Sequence, residues 1–283
     1  MFKKKSRNVN KILIIIADGL GDYMLLTPVI RALKIKYPSA QISILAKEYL
    51  KEFLEAQQLI SKVITNPLAG RYGHQTFFNL LNHLRKINFD LILNTRIEPE
   101  YAWLTFLCWA KISLGDRSRI LHSFMYNHGT FIKMHDSRHE ISNNLILLKK
   151  VGADKTTPEM MVNSTPQAQQ NISEILSGIN KTAPIITFQV SSGGGNKPWL
   201  PEKFGALARE LTKKLNANIV LIGTGKDLPI AEIILSICPK NVMDLTGKIS
   251  LLELTALLQK TNLHIGVDSG PMHIASALKK PIV

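Results

Sequence analysis

Cysteine is nearly absent from this 283-residue chain: Cys108 and Cys238 are its only two, 130 positions apart. They exclude a disulfide scaffold, and such sparing use of thiols suits a reducing compartment. No C-x-x-C or H-E-x-x-H run occurs, so spacing offers no recognisable zinc site. D-x-D is missing too, which leaves a carboxylate-bound divalent metal without an obvious seat. The apolar run behind the basic start, Ile12 to Ala17, is six residues long before Asp18 interrupts it. A secretory signal needs about 7–15 apolar residues and a membrane span about 20. The expectation is a cytoplasmic protein in which Ile12 to Ala17 is a buried strand.

Acidic residues are also in short supply. Asp and Glu number 21 against 35 Lys and Arg, for a net charge of +14. The imbalance is uneven: residues 1–150 hold 22 basic and 11 acidic side chains, and residues 151–283 hold 13 and 10. A basic half points to an anionic partner, such as nucleic acid, a lipid headgroup surface or an acidic substrate. A solvated basic face with a loose KKKSR tail is the alternative at this stage.

What is abundant is alternation. Short β-branched runs (KILIIIA, QISILA, KVIT, DLILN, KISL) are separated by helical stretches such as Met24 to Tyr37, Gln75 to Ile87 and Pro99 to Ala110. After a Pro-, Gln- and Asn-rich connector the pattern restarts, with strands PIITFQ, NIVLIG, Val242 to Asp244 and LHIGV and helices between them. Such alternation predicts βαβ units, that is, α/β architecture with parallel sheets covered on both faces. The division reads as a domain over 1–155, a linker over 156–183 and a second Rossmann-like domain over 184–283. The closing KKPIV reads as the opening of one more strand. YAWLTFLCWA (Tyr101 to Ala110) fits a buried core helix better than a membrane-touching stripe.

Ligands of open parallel sheets bind in the loops after the strands, and four of these loops stand out. Asp18-Gly19-Leu20-Gly21-Asp22 follows the first strand. Met24 occupies the third glycine position of G-x-G-x-x-G, so the dinucleotide signal is weak. Asp22 reads either as a helix cap or as a general base. Ser191-Ser192-Gly193-Gly194-Gly195-Asn196-Lys197 is either a phosphate cradle or a flexible loop. In Gly223-Thr224-Gly225-Lys226-Asp227, Asp227 is a ribose acceptor or part of a simple turn. Asp268-Ser269-Gly270-Pro271-Met272-His273 sets Pro at a helix start and leaves backbone donors for an anion. His273 there either touches a ligand or packs in the core. His135 and His139, four apart, lack the Glu of a zincin and read as a helix-entry face.

Taken together, KILIII, GLGDYMLLTPVIRALKIKYP, FDLILN, Leu114-Gly115, KPWLPEKFGALARELTKKLNANIVLIG and LTGKISLLELTALLQKTNLHIGVDSGPMHIASALKKPIV resemble glycosyltransferase family 9, the ADP-heptose:lipopolysaccharide heptosyltransferases. The likeness runs over nearly the whole chain. The resemblance implies a GT-B architecture, two Rossmann-like domains with parallel sheets facing a cleft. The first would hold an acidic, lipid-anchored saccharide acceptor and the second an ADP-sugar donor. It places the catalytic aspartate on Asp22, beside Gly21 in the donor and acceptor loop. The phosphate lysine falls on Lys197, with Ser191 and Ser192, and the diphosphate loop on Asp268 to His273. Asp227 is the candidate ribose acid.

The implied reaction is an inverting, metal-independent heptosyl transfer to a hydroxyl of the lipopolysaccharide inner core. The nucleotide-sugar is a substrate, so no cofactor is expected. Partners would be the donor, the acceptor and, peripherally, the inner face of the cytoplasmic membrane, with no nucleic acid. Family members continue past the last strand, so a C-terminally shortened chain is expected. The alternatives are an NAD-dependent Rossmann oxidoreductase, which wants the missing glycine, and a non-catalytic binder of anionic glycolipid.

Overall fold

The computed structural model describes residues 8–16, 19–68, 73–118, 120–132, 139–154, 156–191 and 199–283. The chain forms two compact units that divide between Met160 and Met161. All nine expected strands form, each within the stretch where the alternation placed it.

The first unit runs β1 (Lys11–Ile15), α1 (Leu20–Lys36), β2 (Gln41–Ala46), α2 (Lys51–Glu55), β3 (Lys62–Thr65), α3 (His74–Ile87), β4 (Leu91–Asn94), α4 (Pro99–Leu107), β5 (Ile112–Leu114) and α5 (Glu140–Ile146). Its five strands are parallel in the order β3-β2-β1-β4-β5. The middle strand β1 pairs on both edges, Ile12 standing opposite Ile42 on one side and Leu91 on the other. Ile12, Leu13, Ile14 and Ile15 are all fully buried. Burial of each such side chain contributes roughly 1.5–3 kcal/mol. Leu13 and Ile15 pack with Leu80, Leu81 and Leu84 of α3 and with Tyr101 and Leu104 of α4. Strand alternation sends Ile12 and Ile14 to the opposite face.

Helix α1 starts four residues earlier than its apolar pattern suggested. Gly19 is extended and caps the helix, and the Asp22 carboxylate reaches back to accept its N–H at 2.9 Å. That contact supplies the turn which the glycine pair concealed in the sequence. Pro28 sits inside the helix without breaking it, and the Thr27 hydroxyl donates to Met24 O, the carbonyl Pro28 cannot serve, at 2.8 Å. Further along, Arg31 donates to Thr156 Oγ1 at 3.3 Å, Thr157 O at 2.6 Å and Glu159 O at 3.1 Å, fastening the end of this unit to α1.

Helix α4 corrects one expectation. Tyr101, Ala102, Leu104 and Thr105 are buried, but Trp103, Phe106 and Trp109 are exposed. The helix packs on the sheet by one stripe only. Every position of Tyr101 to Ala110 is apolar or aromatic but Thr105, so composition hid which side faces out.

The second unit runs α6 (Pro166–Ile175), β6 (Ile185–Gln189), α7 (Pro201–Leu215), β7 (Asn218–Ile222), α8 (Leu228–Ile237), β8 (Val242–Asp244), α9 (Leu251–Lys260), β9 (Leu263–Gly266) and α10 (Gly270–Ala277). Its sheet is parallel in the order β8-β7-β6-β9. Residues 281–283 run beside β9, with His264 N–H donating to Pro281 O at 2.9 Å. The stretch read as a linker holds α6, and its Asn171 amide donates to Glu253 of α9 at 2.9 Å. Phe188, Phe204, Ile219, Leu221 and Ile234 centre the core.

The opposite face of the same sheet buries two polar groups side by side, Thr187 and His264. His264 on β9 is fully buried, with Nδ1 3.0 Å from the Thr187 hydroxyl and no partner for Nε2. Burial pushes its pKa down to about 4. Below the ordinary histidine value near 6.5 the unfolded chain therefore binds the proton first. The stabilising neutral state is complete above about pH 6.5 and is lost as the pH falls towards 4, at a cost of about 3 kcal/mol. Urea titrations at neutral and mildly acidic pH should show this drop in the parent, and His264→Leu should show a clearly smaller one.

Candidate functional site

Strand order reverses around β1 in the first unit, since β2 lies on one edge and β4 on the other. Crossovers leaving in opposite directions open a crevice between the loops that follow the two strands. A pocket of about 200 Å³ occupies that place. Ile16 and Asp22 line it from the β1–α1 side, Thr95, Arg96 and Ile97 from the segment after β4, and Glu140 and Asn144 from α5.

Each polar wall is held from behind. The Thr95 hydroxyl donates to Ile15 O at 3.0 Å, tying the two strand ends together. Arg96 N–H donates to the buried Asn94 side chain at 2.8 Å, and Asn94 in turn donates to the Tyr126 hydroxyl at 2.7 Å. The Arg96 guanidinium pairs with Glu98. Helix α5 opens on His139, whose Nδ1 accepts from Ile141 N–H at 3.2 Å, so His139 is a helix-entry residue as expected. His135 lies outside the described residues.

Asp22 takes its capping reading in this structure. It is exposed, it lines the pocket, and Oδ2 caps the helix through Gly19 N–H. The contact with Gly19 N–H fixes the carboxylate at the pocket wall. Gly21 lies in the first turn of α1 beside it. The Tyr49 hydroxyl takes the N–H of Leu20, and a Cβ on Gly19 would stand 3.3 Å from that hydroxyl. Arg96, Glu140 and Asn144 had not been singled out in the sequence. For Arg96 a signal existed, its place two residues past a strand end. For the α5 pair there was none, because only the packing of α5 on α1 brings them here.

In the second unit the order reverses around β6, between β7 and β9. Ser191 follows β6 and donates its hydroxyl to Asp227 Oδ1. Asp227 is buried, and its Oδ2 accepts from Thr224 N–H at 2.7 Å and from the Thr224 hydroxyl at 2.9 Å. Both oxygens are thus engaged, and the group ties the loop after β6 to the loop after β7. Gly223 leaves the room this needs, since a Cβ there would lie 2.9 Å from Asp227 Oδ2. Ser192 and Lys197 lie outside the described residues.

Beyond β9, Ser269 caps α10 and turns its hydroxyl to Val267 O at 3.0 Å. Gly270 and Pro271 open the helix, and the N–H groups of Met272 and His273 bond back to Ser269 O. Asp268 is exposed, with Oδ1 3.8 Å from His273 Nε2. His273 is partly buried at the surface of this turn. Among the described residues, no three His, Cys, Asp or Glu side chains are grouped to hold a metal ion, and no helix is long and apolar enough to cross a membrane.

Two Rossmann-like units with parallel sheets in one chain define an α/β protein of the GT-B class. The structure is similar to that of the glycosyl transferase family 9 protein of Veillonella parvula, with a TM-score of 0.84 and 22% identity over 98% of this chain and 81% of that one. It is also similar to the ADP-heptose LPS heptosyltransferase II of E. coli, with a TM-score of 0.80 and 20% identity over 96% and 83%. In sequence it is 28% identical to lipopolysaccharide heptosyltransferase 3 of Escherichia coli over 269 residues, 93% of this chain and 79% of that relative. The model of glycosyltransferase family 9 (heptosyltransferase) matches residues 77–283. The chain belongs to this family and is a glycosyltransferase.

The contact between Asp22 and Gly19 has a stability effect that can be measured by itself. Asp22→Ala removes the reach-back contact of the capping box and should cost about 0.3–1.5 kcal/mol, whereas Asp22→Asn keeps an acceptor oxygen for Gly19 N–H and should stay within about 0.5 kcal/mol of the parent. Thermal unfolding of both variants checks this. Gly223→Ala should dislodge Asp227 and destabilise the second unit by about 1–3 kcal/mol, read as a lower urea midpoint.

Proposed function

We propose that this glycosyltransferase moves a heptose from an ADP-heptose donor to a hydroxyl of the lipopolysaccharide inner core, with inversion at the anomeric carbon. The observation that carries the reading is the Asp22 carboxylate, fixed by Gly19 N–H at the mouth of a pocket that also contains Arg96. Asp22 takes the proton of the acceptor hydroxyl as that oxygen attacks the anomeric carbon, and the nucleoside diphosphate leaves from the opposite face. The Arg96 guanidinium, paired with Glu98, stands at the pocket wall where an acidic acceptor could share it, in keeping with the basic excess of residues 1–150. The names of the similar E. coli proteins support lipopolysaccharide as acceptor and ADP-heptose as donor.

Donor binding is assigned to the second unit. Lys197 and Ser192, from the glycine-rich loop, and the first-turn N–H groups around Ser269 and Gly270 offset charge on the departing diphosphate. Ser191 presents the near end of that loop, with Asp227 holding it from within. Asp268, Pro271, Met272 and His273 complete the rim facing the nucleotide. Association with the inner face of the cytoplasmic membrane follows from a lipid-anchored acceptor.

The test is transfer from ADP-heptose to a deacylated, water-soluble inner-core acceptor. Asp22→Asn should lower kcat by about 10²–10⁴-fold with its melting temperature kept. Lys197→Ala should raise the KM for the donor. Near-parental turnover in Asp22→Asn would remove Asp22 from the role of base, and a preference for UDP-sugars would overturn the donor assignment.

A further inference from the structure

The exposed side of α4 carries a contiguous aromatic surface. Trp103 and Phe106 project from it, and Phe124, from the 3-10 turn after β5, joins them. Phe106 meets Trp103 edge to face at 6.2 Å and Phe124 at 6.0 Å. Trp109, at the end of the helix, is 73% exposed and sits at a φ of 54°, in the left-handed region that a tryptophan rarely adopts. Single exposed apolar residues are ordinary, but rings in mutual contact on one face mark an interaction surface.

The charges beside these rings have one dominant sign. The Arg85 guanidinium lies 4.0 Å over the Trp109 ring while Nε donates to Leu107 O at 2.8 Å. Lys86 is exposed next to it on α3, and Lys111, just past the tryptophan, is exposed and pairs with Asp90 at 2.7 Å. Glu100, at the helix start, is the acidic residue of α4. Tryptophan and phenylalanine flanked by arginine and lysine match the headgroup region of an anionic bilayer, where rings enter the interface and cations meet lipid phosphates.

The position of the surface fits as well. Ile97 lines the pocket and is exposed, α4 begins two residues later, and Phe106 lies seven residues beyond its first residue, about 10 Å along the helix. We infer that the outer face of α4, with Phe124 and the Arg85–Trp109 pair, docks on an anionic lipid bilayer, so that a membrane-anchored acceptor reaches the pocket from its Ile97 side. The inference rests on the acceptor reading above only for this last step; the docking itself is measured without substrate.

The experiment uses the full chain and vesicles of phosphatidylethanolamine and phosphatidylglycerol, with phosphatidylcholine vesicles as the neutral comparison. Parent protein should sediment with the anionic vesicles and far less with the neutral ones. Trp103→Ala combined with Phe106→Ala should lower partitioning by about tenfold or more. The same double variant should keep parental transfer to the deacylated acceptor, which separates failure of docking from failure of the proposed reaction. Independently of that variant, Trp199→Phe leaves Trp103 and Trp109 as the only tryptophans. Their emission should shift to the blue on anionic vesicles and be quenched by brominated acyl chains. Parental partitioning in the double variant, or no quenching in Trp199→Phe, overturns the inference. So does a parent that ignores vesicles but forms dimers that the double substitution dissolves, which would make this face a self-association surface.

Discussion

Parallel strands cannot be joined by a tight turn, so each must be followed by a crossover that returns along a face of the sheet. All the segments leaving strand ends are thereby gathered on one edge. In each unit that edge is parted at the strand where the order reverses, around β1 in the first and β6 in the second. The buried aliphatic strands serve to hold these two partings open. Asp22, one turn into the helix after β1, and Arg96, two residues past β4, sit on short segments anchored to them.

The pocket in the first unit is built by economical sharing of polar contacts. One carboxylate closes the start of α1 and faces the pocket; one threonine binds two strand ends; one asparagine, itself buried, orients the backbone that carries the arginine. Such reuse holds reactive groups to a narrow geometry, because moving any one of them breaks a contact the fold also needs. The second unit shows the opposite arrangement at Asp227, a carboxylate withdrawn from solvent to brace a loop. Two aspartates in similar strand–loop–helix positions thus have different surroundings, one exposed at a pocket and one buried.

The strands were legible because a strand buried on both faces must be apolar throughout and β-branched residues favour it. At Asp22 the capping contact was legible, but the first turn of the helix was not, because the apolar pattern begins only at Met24. Glu140 and Asn144 were illegible because helix packing, not local pattern, carries them to the β1 end. The inward turn of Asp227 was equally hidden, since a Gly-x-Gly-x-Asp turn has the same letters whichever way its carboxylate points. On α4, near-uniform apolarity erased the periodicity that would have told the inner stripe from the outer.

The cap at the head of α1 has a bearing on how related chains are to be judged. A carboxylate or amide at this third helical position can reach back to the Gly19 N–H, whereas the proposed proton abstraction asks for the carboxylate alone. A descendant that lost its reaction would keep folding while this residue drifted among the capping types, leaving a well-formed molecule with no chemistry. Persistence of some polar side chain there is thus a record of folding, and the chemical history is written in whether it has stayed an acid.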